Sequence, residues 1–238
     1  MKAGIIAAGK GERLVQGGIS IPKPLISIGG EPLIARVIHA AERVKVSSIA
    51  CIVNDLNPVV ANYLHSRSWS VPLEIVVKTT PNSMESLFSL APLLNEEPFL
   101  LFTVDAVFRF KTLERFLTQA RAFDKAHGVL AVTRFYDDEK PLRVRMDRHR
   151  KVIAIGAGVQ FSRHVTAGFY YFKPDIFALI DDARVKGLSA LRQFLVLLTE
   201  RGFSLYGIPV LKTIDVDYPE DIERAERFLR EAGETWTT

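Results

Sequence analysis

Cysteine is almost missing from this chain: 238 residues carry one, Cys51, so no internal disulfide can form. It lies in the apolar run Ile49-Ala50-Cys51-Ile52-Val53 and reads as a core residue rather than a nucleophile. Basic residues form no cluster; 31 Lys and Arg against 27 Asp and Glu leave a formal charge of +4, scattered along the chain. That excess suits anionic small molecules and gives nucleic acid no footing. No uninterrupted apolar stretch is long enough to cross a bilayer, and Met1 runs almost directly into an apolar segment with no room for a signal peptide. A cytoplasmic protein with no membrane or nucleic-acid partner is the expectation. Repeats, low-complexity tracts and Pro/Gly/Ser linkers are lacking, and His39 and His65 have no metal-ligating neighbours.

With 48% hydrophobic and 24% charged residues, the composition is that of an ordinary globular protein. The length suits one large α/β domain and is short for two. The first stretch organises it. Ala3 to Ala8 is uncharged and reads as a strand buried on both faces, and it ends in Gly9-Lys10-Gly11-Glu12-Arg13-Leu14. Glycines there let backbone N–H groups approach anionic oxygens, while Lys10, Arg13 and Lys23 supply charge. A dinucleotide fingerprint is excluded because Leu14 stands where the third glycine should be. A Walker A loop is excluded because Gly11 replaces the magnesium-binding Ser/Thr.

The segments Ala7-Ala8-Gly9-Lys10-Gly11-Glu12-Arg13-Leu14 and Pro22-Lys23-Pro24-Leu25 together resemble the signature of the sugar-phosphate nucleotidyltransferases, the nucleoside-diphosphate-sugar pyrophosphorylases and their cytidylyltransferase relatives. The resemblance implies a Rossmann-like three-layer α/β/α nucleotidyltransferase fold, with a mostly parallel central sheet and a small antiparallel excursion on the acceptor side. It implies a single domain over 1–238, with a nucleotide-binding half at 1–110 and an acceptor-binding half with a C-terminal metal segment at 111–238. Its chemistry is Mg²⁺-dependent transfer of NMP from an NTP to a phosphorylated acceptor, with release of pyrophosphate. Arg13 and Lys23 then take catalytic positions, and Ala8, Gly9 and Gly11 contact the nucleotide.

Further along, Glu31 to Ala41 carries apolar residues at helical spacing behind Pro32, Ser48 to Val53 is a second strand, and Asn57-Pro58 starts a helix towards Arg67. Leu73 to Lys78 is a third strand, and the loop that follows caps a helix start through one of Asn82, Ser83 or Ser86. By position Asn82 and Ser83 correspond to the family's base and ribose contacts, and Asn followed by Ser-Leu looks more like the cytidylyltransferases for phosphocholine or inositol phosphate. Pro98 to Val104 is an uncharged strand that delivers Asp105 to the sheet's edge; the resemblance makes Asp105 a metal ligand. Near the end, Asp215-Val216-Asp217-Tyr218-Pro219-Glu220-Asp221 matches the family's closing motif, with Asp217 as the second metal ligand, Asp215 beside it on one strand face, and Glu220 and Asp221 favouring a helix N-terminus.

Between these motifs, Lys111 to Ala126 reads as an amphipathic helix and Val129 to Phe135 as a strand. Leu142 to Asp147 and Lys151 to Ile155 form a hairpin. Phe161 to Phe172 matches a strand whose Thr166 and Gly168 line the acceptor pocket, with Arg163 or His164 able to meet its phosphate. Lys173 to Asp182 is a helix; Leu188 to Arg201 is another, whose stripe of Leu191, Phe194, Leu195 and Leu198 is core or partner surface. Homo-oligomerisation stays open. So do two other readings, a molybdopterin-cofactor nucleotidyltransferase and a non-catalytic nucleotide sensor. A glycosyltransferase is disfavoured, because Val104-Asp105-Ala106-Val107 offers no Asp-x-Asp motif.

Overall fold

The computed structural model describes residues 1–135, 141–156, 158–159 and 162–231. It opens with β1 (Lys2–Ala7), the short α1 (Glu12–Gln16), a 3-10 turn at Lys23–Leu25, the two-residue strands β2 (Ser27–Ile28) and β3 (Glu31–Pro32), and α2 (Leu33–Arg43). β4 (Ile49–Val53), α3 (Pro58–His65), β5 (Leu73–Val77), α4 (Ser83–Leu94) and β6 (Phe99–Thr103) continue the alternation. Next come β7 (Ala106–Val107), α5 (Phe110–Ala120), β8 (Gly128–Thr133), the hairpin strands β9 (Arg143–Met146) and β10 (Val152–Ile155), and β11 (His164–Phe172). A 3-10 stretch at Pro174–Leu179 leads to α6 (Ile180–Val185), α7 (Leu191–Glu200), β12 (Leu205–Pro209), β13 (Ile214–Asp215) and α8 (Pro219–Arg230).

Nine strands make one sheet, in the order β10-β9-β11-β6-β1-β4-β5, with β8 bonded to β11 and β12 to β8. β1 is parallel to β4 and β6, β4 to β5, and β8 to β12. β11 runs antiparallel to β6, β8 and β9, and β10 antiparallel to β9, so β11 and β10 alone oppose the common direction. This is the expected mostly parallel sheet with its antiparallel excursion.

Strand periodicity splits the core into two layers. Ala3, Ile5, Ala7, Leu100 and Phe102 face the helices α2, α3, α5 and α8. Ile6, Ala8, Phe99 and Leu101 face α4, α6 and α7. Both faces of the central strands are therefore covered, which is why they read as uncharged runs rather than alternating ones. Cys51 is wholly buried in β4, and burial pushes its thiol up to about 12. The stripe on α7 packs inward, so it is core and not partner surface.

Several element ends differ from the sequence expectation or narrow it. The N-cap of α4 is Asn82, whose Oδ1 accepts the Glu85 N–H at 3.0 Å, so Ser83 is the first helical residue rather than the cap. α5 stops at Ala120 instead of reaching Ala126; the following turns bring Phe123 against Tyr206, with ring centroids 4.6 Å apart. The segment after Lys173 winds first as a 3-10 helix, where Phe177 stacks on Phe99 at 5.5 Å, and becomes α-helical at Ile180. α7 begins at Leu191 behind an extended Ala190. The strand expected from Phe161 starts at His164, and Phe161 itself lies outside the described residues. β7 had no sequence signal, and β13 covers only the start of the strand read at Asp215 to Asp217; the two, of two residues each, pair antiparallel. No helix among the described residues is long and apolar enough to cross a membrane.

Candidate active site

The carboxyl ends of β1, β6, β8 and β12 open onto one edge, where open α/β sheets take their ligands. A cleft of about 550 Å³ lies there, lined by Arg13, Asp105, Thr166, Tyr170, Lys212 and Asp217 among others. β1 ends at Ala7; buried Ala8 follows, and its carbonyl accepts from Asn54 Nδ2 at 3.4 Å. The chain then turns through exposed Gly9, where a Cβ would meet no atom within 4 Å. Gly11 adopts φ +65 and serves as the N-cap of α1; a Cβ there would lie 3.1 Å from the Lys23 Cβ. The glycine loop and Lys23 are thus packed against each other, two elements of one device.

Lys23 heads a 3-10 turn between Pro22 and Pro24, which fix the backbone on either side. Its side chain is 9% exposed and reaches two carboxylates: Nζ lies 2.8 Å from Asp105 Oδ2 and 2.6 Å from Asp217 Oδ1. Burial alone lowers the ammonium pKa, but the Asp105 and Asp217 charges outweigh it and raise it well above the usual lysine value. Burial pushes Asp105 the other way, and the Lys23 charge and hydrogen bond more than offset it, holding that carboxyl below its ordinary value. Lys23 and Asp105 therefore hold each other in their charged forms.

Three backbone contacts bring residues so far apart in sequence together. Val104 N–H bonds to the Ile6 carbonyl at 3.2 Å, which carries β6 one step past its strand beside β1. β7 then pairs with β13, and Val216 N–H donates to the Asp105 carbonyl at 3.1 Å. Asp217 follows directly, its N–H held by Asp221 Oδ2 at 3.1 Å, with Tyr218 N–H on the same oxygen at 2.8 Å. Asp221 thus caps α8, as expected for an acid at a helix N-terminus. Asp215 is the last residue of β13 and Asp217 lies just past it, so the strand is shorter than the sequence suggested, while both acids line the cleft. Arg13 completes the cluster, with Nη1 3.0 Å from Asp217 Oδ2 and Cζ 5.2 Å from the Tyr218 ring centroid.

Ser83 lines the cleft and accepts the Leu191 N–H at 3.0 Å, fastening α4 to the start of α7; Asn82 is occupied as a cap. Thr166 and Gly168 both line the cleft on β11. Gly168 has φ +79, and a Cβ there would fall 2.3 Å from the Ala106 Cβ, so it is where β11 presses against the strand that follows Asp105. His164 accepts from Arg134 Nε at 3.1 Å, and neither Arg163 nor His164 lines the cleft.

Sequence reasoning passed over several cleft residues, Tyr170 and Lys212 among them. Tyr170 is buried, and burial raises its hydroxyl pKa despite a hydrogen bond to Thr166, so it stays protonated beside Asp215, Asp105 and Arg192. Lys212 is exposed and carries no ion pair among the described residues. Tyr170 had no signal beyond an aromatic strand, whereas Lys212, the cation three residues before the acidic motif, was readable as a lone charge after a strand.

Residues 3–192 match the MobA-like NTP transferase domain family. A mannose-1-phosphate guanyltransferase of Gibberella zeae is 28% identical over 195 residues, covering 76% of this chain and 52% of that protein. A probable mannose-1-phosphate guanylyltransferase of Oryza sativa subsp. japonica is 26% identical over 196 residues, with the same coverage. The chain spans about half the length of these curated relatives. In three dimensions it is similar to the inositol-1-phosphate CTP transferase of T. maritima, with TM-score 0.83 and 18% identity over 100% of this chain and 98% of that one. An apo-UDP-glucose pyrophosphorylase follows at TM-score 0.81 and 15% identity, over 98% and 100% of the two chains. The fold likeness covers the C-terminal segment with Asp217, which the family match does not reach and which Lys23 ties to it. With a match running from β1 into α7, this chain belongs to the MobA-like NTP transferase domain family.

Proposed function

We propose that the chain catalyses transfer of NMP from an NTP to a phosphorylated small-molecule acceptor, releasing pyrophosphate. The convergence of Lys23, Asp105 and Asp217 beside the glycine loop carries this reading. The loop's backbone and Arg13 receive the triphosphate, and Lys23 meets the charge that builds on it as the bond to pyrophosphate breaks. The acceptor phosphate is already ionised at neutral pH, so no side chain has to remove a proton. The work of the chain is to hold two anions in line against their repulsion. Tyr170 and Thr166 line the cleft with the carboxylates and Arg192, and Lys212, which has no carboxylate partner among the described residues, suits the acceptor phosphate.

Nucleotidyltransferases of this type generally use a divalent metal, and we take it to be Mg²⁺, held by Asp105 and Asp217. Both carboxylates contact one point, the Lys23 ammonium, and hard oxygen donors of this kind suit a cation that completes its shell with water and substrate phosphates. When bound, the ion neutralises phosphate charge. Such substrates fit a cytoplasmic location and call for neither nucleic acid nor membrane.

The names of the sequence relatives point to GTP and mannose 1-phosphate as the first pair to test. Pyrophosphate release is measured with five NTPs crossed against sugar 1-phosphates, inositol phosphate and phosphocholine. Release that requires one NTP and one acceptor together is expected; no acceptor-dependent release from any pair contradicts the proposal.

A further inference from the structure

We infer that Lys23 is the resident counter-ion of the Asp105–Asp217 pair, so that a divalent cation gains those carboxylates only when nucleotide phosphates draw Lys23 away. The inference rests on the function proposed above and adds an order to it: metal and nucleotide enter as a coupled pair, and metal alone is refused.

Space comes first. Nζ touches both carboxylates, at 2.8 and 2.6 Å, and the side chain is nearly buried, so the ground between Asp105 and Asp217 is filled. Mg²⁺ binds carboxylate oxygens at roughly 2.0–2.1 Å and has to stand on that same ground. An ammonium and a dication cannot share it. Charge comes second. Asp105 and Asp217 supply two negative charges and Lys23 and Arg13 two positive ones, all in contact, so the cluster is formally neutral. A dication approaching a neutral, partly buried cluster gains little, whereas a bound triphosphate makes the site strongly anionic and gives Lys23 another partner. Geometry supplies the route. The Lys23 stem packs on Gly11 and its backbone is fixed between two prolines, while the ammonium rides on a flexible four-carbon chain. Phosphates cradled at Gly9 to Gly11 lie within the sweep of that chain.

The test reads metal binding, without turnover. Free Mn²⁺ is followed by electron paramagnetic resonance in titrations of the nucleotide-free enzyme, Lys23→Met, and Lys23→Met with Asp105→Asn. Lys23→Met should bind Mn²⁺ about tenfold or more tighter than the unsubstituted enzyme, a gain of the size usual for coupled sites, and the double variant should lose that gain. A second measurement needs no substitution: acetylation of Lys23, followed by peptide mass spectrometry, should be slow without metal and faster once Mn²⁺ is forced into the site by excess. Equal Mn²⁺ affinities, or Lys23 acetylation indifferent to Mn²⁺, overturn the inference; pyrophosphate release by the unsubstituted enzyme would then leave the proposed function standing. If no substrate pair releases pyrophosphate either, both fall.

Discussion

At the scale of single residues, Lys23 and Gly9 make opposite demands on the fold. Removing the Lys23 ammonium leaves Asp105 and Asp217 facing each other with Arg13 alone to compensate, and it takes away the cation nearest the reacting phosphates. Lys23→Ala should therefore slow pyrophosphate release by orders of magnitude, and Asp105→Asn should remove most of the metal dependence; near-normal rates in either would refute the assignment. Gly9 carries no packing duty, since its Cβ would meet nothing. Gly9→Ala should keep the melting temperature of the parent while turnover falls, because the added methyl stands where phosphate oxygens approach the backbone. His39 offers a separate test of stability. A hydrogen bond donated by its Nδ1–H to the Glu31 carboxylate raises its pKa above the usual histidine value against the effect of burial, with the Glu42 carboxylate also near. Its stabilising contribution is complete below the unfolded value and is lost as pH rises through the folded one. The gap in denaturant midpoint between parent and His39→Gln should accordingly be wider near about pH 5.5 than near about pH 8.5; a gap independent of pH would contradict it.

At the scale of elements, the site depends on a ladder two residues long. β7 and β13 set Asp105 and Asp217 at Lys23, and Gly168 on β11 braces β7 through Ala106. Gly168→Ala forces a side chain into a left-handed backbone and into Ala106 at once. It should cost at least about 1–3 kcal/mol of stability and lower turnover through displaced Asp105, read as a drop in melting temperature alongside rate. Retained stability would show that β7 is not held from this side. The same contrast explains what the sequence discloses. β1, β4 and β6 are legible because both faces are buried and their residues, Lys2 and Thr103 at the ends apart, are apolar, and the glycine loop and Pro22-Lys23-Pro24 because their backbones need those residue types. The β7–β13 ladder is silent because two residues cannot show a period, and the Lys23–Asp105 and Lys23–Asp217 contacts because they span 82 and 194 positions. Helix ends fell to similar long-range causes: Asn82 is the cap of α4 while Ser83 is taken by Leu191, across from α7.

At the scale of the molecule, the two halves read from the sequence are joined by hydrogen bonds between β6 and β11, with Phe102 opposite Phe169 and stacked on Phe108 at 5.9 Å. We propose that they unfold as one unit, so tryptophan fluorescence and far-UV circular dichroism should give coincident denaturant transitions. Phe102→Ala, at the joint, should remove about 3–5 kcal/mol while leaving the curves superimposed; curves that separate would mean two cooperative units. Cys51 makes that unity measurable from within. It pairs across to Ile5 on one side and Ile75 on the other, and it is the chain's one thiol. A bulky thiol reagent reaches it only when the helix layer packed on that face of β4 has lifted, and its buried thiol, held up near 12, does not ionise beforehand. The rate of labelling in the native protein is thus a clock for the opening of the parallel half, with no probe to install and no background signal to subtract.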